Sequence, residues 1–154
     1  MQETFTVRPV AIVRSTRVEP TDDHWGRERA EIILDDSYPL DSLEGIDAFS
    51  HVEIVFLFDK VEERDICLGA RHPRGNKNYP PVGIFAQRAK CRPNRIGVTV
   101  ARLLSRSGRS LSVAGLDAID GTPVLDIKPV FREFLPKGEI RQPVWATELL
   151  KEYW

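Results

Sequence analysis

The sequence predicts a mainly β protein, a compact single-domain β-barrel with short helices, one of them C-terminal. Three observations predict it. Seven short runs rich in β-branched and aromatic residues follow one another along the chain. Turn-forming pairs punctuate them at Gly75-Asn76, Pro80-Pro81, Ser107-Gly108 and Asp120-Gly121. The length, 154 residues, suits one domain with a real core, and regularly spaced short strands suit a barrel or sandwich.

The elements come in order. "TFTVRPVAIVRS", Thr4 to Ser15, alternates and reads as the first strand, and "AEIIL", Ala30 to Leu34, as the second. "SHVEIVFLF", Ser50 to Phe58, is a strong third strand, aromatic and β-branched. "PPVGIFA" (80–86), "IGVTVARLL" (96–104), "SLSVAGL" (110–116) and "PVLDIKPVF" (123–131) complete the set. "LDSLEGI", Leu40 to Ile46, suits a short helix. "PVWATELLKEYW" suits a C-terminal helix docked on the barrel, with Pro143 at its start. Glu19–Arg29 and Gly69–Pro81 read as irregular polar loops. The barrel is expected over about 5–136 and a tail over 137–154 of one domain.

Composition narrows the function classes. Apolar residues make up 42% and charged residues 29%, ordinary for a globular protein. No apolar run is long enough for a transmembrane helix, and Met1-Gln2-Glu3-Thr4 lacks a signal-peptide pattern, so the expected compartment is the cytoplasm. Cys67 and Cys91 are too few for a disulfide framework. The net charge of −1 conceals an asymmetry: Ile66–Leu116 carries ten Lys/Arg and no Asp/Glu, whereas Met1–Asp65 carries sixteen acids and seven bases. Two explanations compete: an anionic partner, or ion pairing with the acids of the first half.

Familiar motifs are missing. There is no Walker loop, no Gly-x-Gly-x-x-Gly and no Gly-x-Ser-x-Gly elbow. His24, His51 and His72 have no ligand spacing with the cysteines, so no metal is expected. His51, opening an apolar strand, reads as a hydrogen-bonded edge residue. The cluster Asp117, Asp120 and Asp126 in "GLDAIDGTPVLDIKP" can cap turns, or accept from ribose hydroxyls or an amino group, with Asp126 also a partner for Lys128 or a basic-segment arginine.

"GIFAQRAKCRPNRIG", followed by "GLDAIDGTPVLDIKP", together with Phe49-Ser50-His51 and the opening "VRPVAIVRS", resembles the TsaA-like family of TrmO-type tRNA methyltransferases. The resemblance covers roughly Thr6–Pro136. It implies a β-barrel that binds S-adenosylmethionine without a Rossmann sheet, a homodimer, and methyl transfer to a nitrogen of N6-threonylcarbamoyladenosine in tRNA. By position, the implied cofactor contacts are His24, Trp25, Gly26, Asp59, Lys60, Arg88, Val98 and the loop Asp117, Ala118, Ile119 and Asp120. "DK" at 59–60 and the composition of the His24 loop depart from the family's pattern. The further C-terminal segment of the tRNA enzymes is expected to be absent, since the chain closes at Trp154 soon after "DIKPVFREFLP".

These residue types suit such a ligand. Arg88 can pair with its carboxylate or pack on its base. Asp117 or Asp120 can accept from ribose or adenine. Trp25 can cover adenine, face the sulfonium, or simply fill the core. The sequence names no catalytic base, though Asp120 and Asp126 are the candidates. Without an added domain, RNA would meet Arg71, Arg74, Lys77, Arg92, Asn94 and Arg95, with Tyr79 and Phe85 available for stacking. A methyltransferase of small molecules and a non-catalytic S-adenosylmethionine-binding module are the alternatives.

Overall fold

In the computed structural model, which describes residues 2–154, six strands close into an antiparallel barrel in the order β1-β2-β7-β6-β3-β8. They are β1 (Ala11–Ser15), β2 (Arg29–Leu34), β3 (His51–Leu57), β6 (Ile96–Ser107), β7 (Ser110–Ala114) and β8 (Pro123–Pro129). The remaining strands, β4 (Ala70–Arg71) and β5 (Val82–Gly83), pair with each other outside the barrel.

Alternation builds the core. Successive strand residues face opposite sides, so every second side chain turns inward. Ala11 and Val13, Ala30, Ile32 and Leu34, Val52, Ile54 and Phe56, Leu111 and Val113, and Val124 all meet in one buried cluster. The register of β1 against β2, Val13 opposite Ile32, keeps these sets on one face. The seam between β1 and β8 pairs Ala11 with Val124 and Ile12 with Pro123. It is extended by Val13 N–H donating to Thr122 O at 3.0 Å and Gly121 N–H to Val13 O at 2.8 Å.

β6 is long because it serves two neighbours. Its first half pairs with β3, from Ile96 opposite Leu57 to Arg102 opposite His51. Its second half pairs with β7, and the register shifts between Leu103 and Ser105. Such a bulge adds the bend that lets one strand turn a barrel corner.

Gly97 answers a packing demand. A Cβ built there would lie 2.6 Å from two ring atoms of Phe56 and 2.9 Å from Phe58. Those two rings pack edge-on at 5.2 Å, so neither has free space to retreat into.

The segment between β3 and β6 forms a cap with its own small core, Val61, Ile84 and Cys91, packed against Phe58, Ile66, Cys67 and Ala89. The buried Gln87 side-chain amide donates to Arg71 O at 3.0 Å and to Val82 O at 2.8 Å, clamping β4 to β5.

The differences from expectation have local causes. The first strand starts at Ala11 rather than Thr4, because Gln2–Pro9 is exposed and has no partner strand. "PPVGIFA" contributes only the two residues of β5 before a helical turn over Ile84–Ala86, because paired prolines remove ladder donors. Leu40–Ile46 forms separate 3-10 turns, Leu40–Leu43 and Ile46–Ala48, divided by Gly45 at φ 81°. The C-terminal helix α1 spans Val144–Leu149, with Pro143 just before its first turn. It is Trp25, His24 and Gly26 that receive the residues beyond the helix.

Replacing Gly97 with Ala is expected to destabilise the barrel by about 1–3 kcal/mol through overpacking. Thermal unfolding reads this directly, at about 2–4 °C per kcal/mol for a domain of this size.

Candidate functional site

Antiparallel closure decides where the loops go. β1, β3 and β7 end, and β2, β6 and β8 begin, at the same end of the barrel. That end therefore receives the 16–28, 58–95 and 115–122 connections. The cofactor and RNA contacts expected from the sequence lie in these connections, except Val98 near the start of β6; the candidate base Asp126 lies within β8.

Asp117 is placed by register. β7 ends with Ala114 opposite Arg102 of β6. Three residues further on is Asp117, and three residues before Arg102 is Thr99. The Thr99 hydroxyl donates to Asp117 Oδ1, and the Tyr153 hydroxyl donates to Oδ2. Burial, followed by the nearby Asp117 charge, raises the Tyr153 phenol well above its ordinary range, so it remains a donor. The Arg74 and Arg88 charges oppose that shift. Arg88 donates to Val98 O at 2.7 Å, joining two of the expected contacts directly.

The other acids of the cluster have structural work. Ser15 N–H donates to Asp120 Oδ1 at 3.0 Å, tying the 115–122 loop to β1, with Arg14 4.0 Å from the other oxygen. Asp126 pairs with Lys128 and raises the ammonium above its usual value, chiefly through their hydrogen bond. Ala118 joins the main core, and Ile119 O accepts from the Thr122 hydroxyl at 2.8 Å.

The 16–28 loop is organised by Arg17, which sequence reading missed. Its guanidinium donates to His24 O at 3.0 Å and Asp23 O at 2.6 Å, and approaches Glu28 at 3.8 Å. It also lies 3.5 Å from the Trp25 ring centroid. Trp25 is only 4% exposed, and the Arg17 guanidinium covers its ring. His24 N–H donates to Glu152 O at 2.9 Å and Trp25 N–H to Tyr153 O at 2.8 Å. Gly26 lies against Trp154: a Cβ there would fall 2.6 Å from the Trp154 carbonyl carbon. His24, Arg74 and Arg95 adopt left-handed φ angles of 66°, 51° and 53°, and all three are in loops of this end.

The basic segment is largely engaged with the protein itself. Arg71 donates to Cys91 Sγ at 2.6 Å, Arg92 to Gln87 O at 2.9 Å and Arg95 to Val61 O at 2.8 Å. Arg74 makes a paired contact with Asp23, at 2.9 and 3.2 Å, joining the two loops. Lys77 and Asn94 are exposed. Asp59 and Lys60 pair with each other at 3.3 Å beside the Arg95 corner. Among the described residues no hydrogen bond or ion pair links them to Asp117 or Arg88. His51 is exposed, its Nδ1 2.7 Å from the Ser50 hydroxyl.

Two open clefts flank the Asp23–Arg74 pair. One, of about 560 Å³, is lined by Arg17, Thr21, Asp22, His24 and Glu28. The other, of about 380 Å³, runs between Asn76, Tyr79 and the residues from Glu148 to Glu152. Asp117, half-buried beneath its two hydroxyl donors, lines neither. Among the described residues no cluster of His, Cys, Asp and Glu could hold a metal, and no helix is long and apolar enough to cross a membrane.

Thr99 and Tyr153 were also missed in the sequence. Thr99 could have been found by extending the strand register. Tyr153 carries no local signal, because its partner is 36 residues away.

A closed antiparallel barrel with an acid, an arginine and a C-terminal segment at one end defines a single antiparallel β-barrel domain, with no Rossmann sheet. The family model of the tRNA-methyltransferase O N-terminal domain matches residues 15–134, and the chain belongs to this family. A probable S-adenosyl-L-methionine-binding protein of Methanothermobacter thermautotrophicus is 37% identical over 131 residues, covering 82% of this chain and 90% of that one. The human tRNA (adenine(37)-N6)-methyltransferase is 39% identical over 106 residues, 69% of this chain and 24% of that enzyme. A crystal structure of TrmO from Pseudomonas aeruginosa superposes with a TM-score of 0.76 at 29% identity, covering 94% of this chain and 63% of that chain. The chain thus spans nearly all of the archaeal relative, about a quarter of the human enzyme and less than two thirds of TrmO.

Gly26→Ala is expected to push the Trp154 backbone away while leaving the barrel folded. Hydrogen exchange should then quicken at the His24 and Trp25 amides, which the 152–153 carbonyls protect, with no change in the β3 and β6 amides.

Proposed function

We propose that the protein is an S-adenosylmethionine-dependent methyltransferase acting on tRNA, with N6-threonylcarbamoyladenosine as the modified base. The convergence of Asp117, Arg88 and Val98 at the loop end of a barrel of this family carries the reading. The donor set suits the ligand. The Asp117 carboxylate is fixed by two hydroxyls, and each of its oxygens keeps acceptor capacity for a ribose hydroxyl or amino group. Arg88 is exposed and has one nitrogen committed to Val98 O, leaving further N–H groups for a carboxylate.

The cofactor supplies an activated methyl group on a sulfonium, so the protein need only hold donor and acceptor in line and exclude water. In this reading Asp117 and Arg88 grip the two polar ends of the cofactor. The backbone of the His24–Gly26 loop, held by Arg17 and the 152–154 segment, closes one side. Asp120 and Asp126, tied to Ser15 and Lys128, are poorly placed to serve as the base. The reading includes a second copy of the chain, for Leu68, Phe85, Phe134, Ile140 and Val144 are strongly exposed, with Phe134 at 84%. Acting on tRNA would also place the protein in the cytoplasm.

One observation favours a small-molecule acceptor on the same barrel. Arg71, Arg92 and Arg95 each have a donor bound within the protein, so the free basic surface is thinner than the charge count suggests.

Labelled S-adenosylmethionine with total tRNA, followed by nucleoside mass spectrometry, decides between them. Label in a methylated threonylcarbamoyladenosine is expected, whereas label only in a metabolite fraction selects the small-molecule reading. Binding to tRNA should weaken steeply with salt. Arg88→Ala should raise the cofactor dissociation constant about tenfold or more, as loss of a charged hydrogen bond requires. An unchanged constant removes Arg88 from the site.

A further inference from the structure

We infer that Tyr153 is a positioning residue of the ligand site: its hydroxyl orients the Asp117 carboxylate toward the cofactor, making the Leu150–Trp154 segment a wall of that site. The inference rests on the cofactor reading above and extends it to a segment beyond the matched family region, which ends at residue 134.

The geometry carries it. The two Asp117 oxygens receive hydroxyls from different directions, Thr99 on β6 and Tyr153 on the C-terminal segment. A carboxylate held by one donor can swing about its Cβ–Cγ bond, and a second donor on the other oxygen removes that freedom. Both oxygens keep lone pairs for a ligand.

Tyr153 is itself placed by independent constraints. Trp25 N–H donates to its carbonyl at 2.8 Å, and His24 N–H to the preceding carbonyl at 2.9 Å. Gly26 admits the Trp154 backbone where any Cβ would collide. The Tyr153 and Trp154 rings meet edge-on at 4.8 Å. Apolar burial is only part of this docking: Trp145, Leu149 and Tyr153 are half-buried, but Val144 is 73% and Trp154 62% exposed. The segment is held by polar bonds directed at the His24 loop and at Asp117. The phenol also stays protonated, as burial and the Asp117 charge dictate, so the donor is constant.

Calorimetric titration with S-adenosylmethionine tests the inference on four proteins: the native chain, Tyr153→Phe, Asp117→Asn and the double variant. Tyr153→Phe, which removes one oxygen and keeps the ring, is expected to weaken binding about tenfold. It should have less than about a twofold further effect in the Asp117→Asn background, since it acts through that carboxylate. A chain cut after Lys151 should lose at least as much affinity, and a thermal scan of each variant checks that the barrel remains folded. Equal losses in both backgrounds would make Tyr153 merely structural. Unchanged binding by Tyr153→Phe overturns the inference while the cofactor reading stands. Tighter binding by the cut chain would make the segment a plug and overturn it too. No binding by the native chain removes the cofactor reading and this inference together.

Discussion

The site depends on the closing of the β1–β8 seam. Six antiparallel strands joined in a ring put alternate connections at opposite ends; the β2–β7 pairing sets the 16–28 loop beside the 115–122 loop, and the seam ties the far side of the second loop to β1. The seam is short, two paired residues extended by hydrogen bonds of Thr122 and Gly121 to Val13. The same seam fixes Asp120 on Ser15, so the loop that carries Asp117 is anchored at its far side before any ligand arrives.

Arginine is the second organising agent. Arg17, Arg92, Arg95, Arg106 and Arg109 all donate to main-chain carbonyls outside the strands, and Arg88 to one of β6. Such segments have carbonyls that no ladder satisfies, and a guanidinium fork reaches several at once without changing its charge. The long stretch without acids is explained partly by this. Ion pairs with the acidic first half do occur, at Arg74–Asp23, Arg106–Glu44 and Arg109–Asp36, but they are the smaller part of its chemistry.

Much of the fold was legible because alternation and turn chemistry are local. The runs at 30–34, 50–58, 96–104 and 123–131 carry period-2 patterning and form strands close to those limits. "PPVGIFA" has strand composition but lacks the donors a ladder needs. The Leu40–Ile46 stretch is divided by a left-handed glycine. Within the acid cluster, spacing alone left both turn capping and ligand contact open. The tertiary structure gives each acid its own partner, Asp117 with Thr99, Asp120 with Ser15 and Asp126 with Lys128.

What the sequence by itself determined is the mainly β class, the position of most strands and the polar loops between them, since these follow from side-chain period and backbone preference. Only the tertiary structure decided that Trp25 lies under Arg17, that Gly26 admits the Trp154 backbone, and that Tyr153 meets Asp117. Those contacts join residues from 8 to 128 positions apart. No local pattern encodes such a pairing: it exists only once the barrel has closed and its end loops share one space.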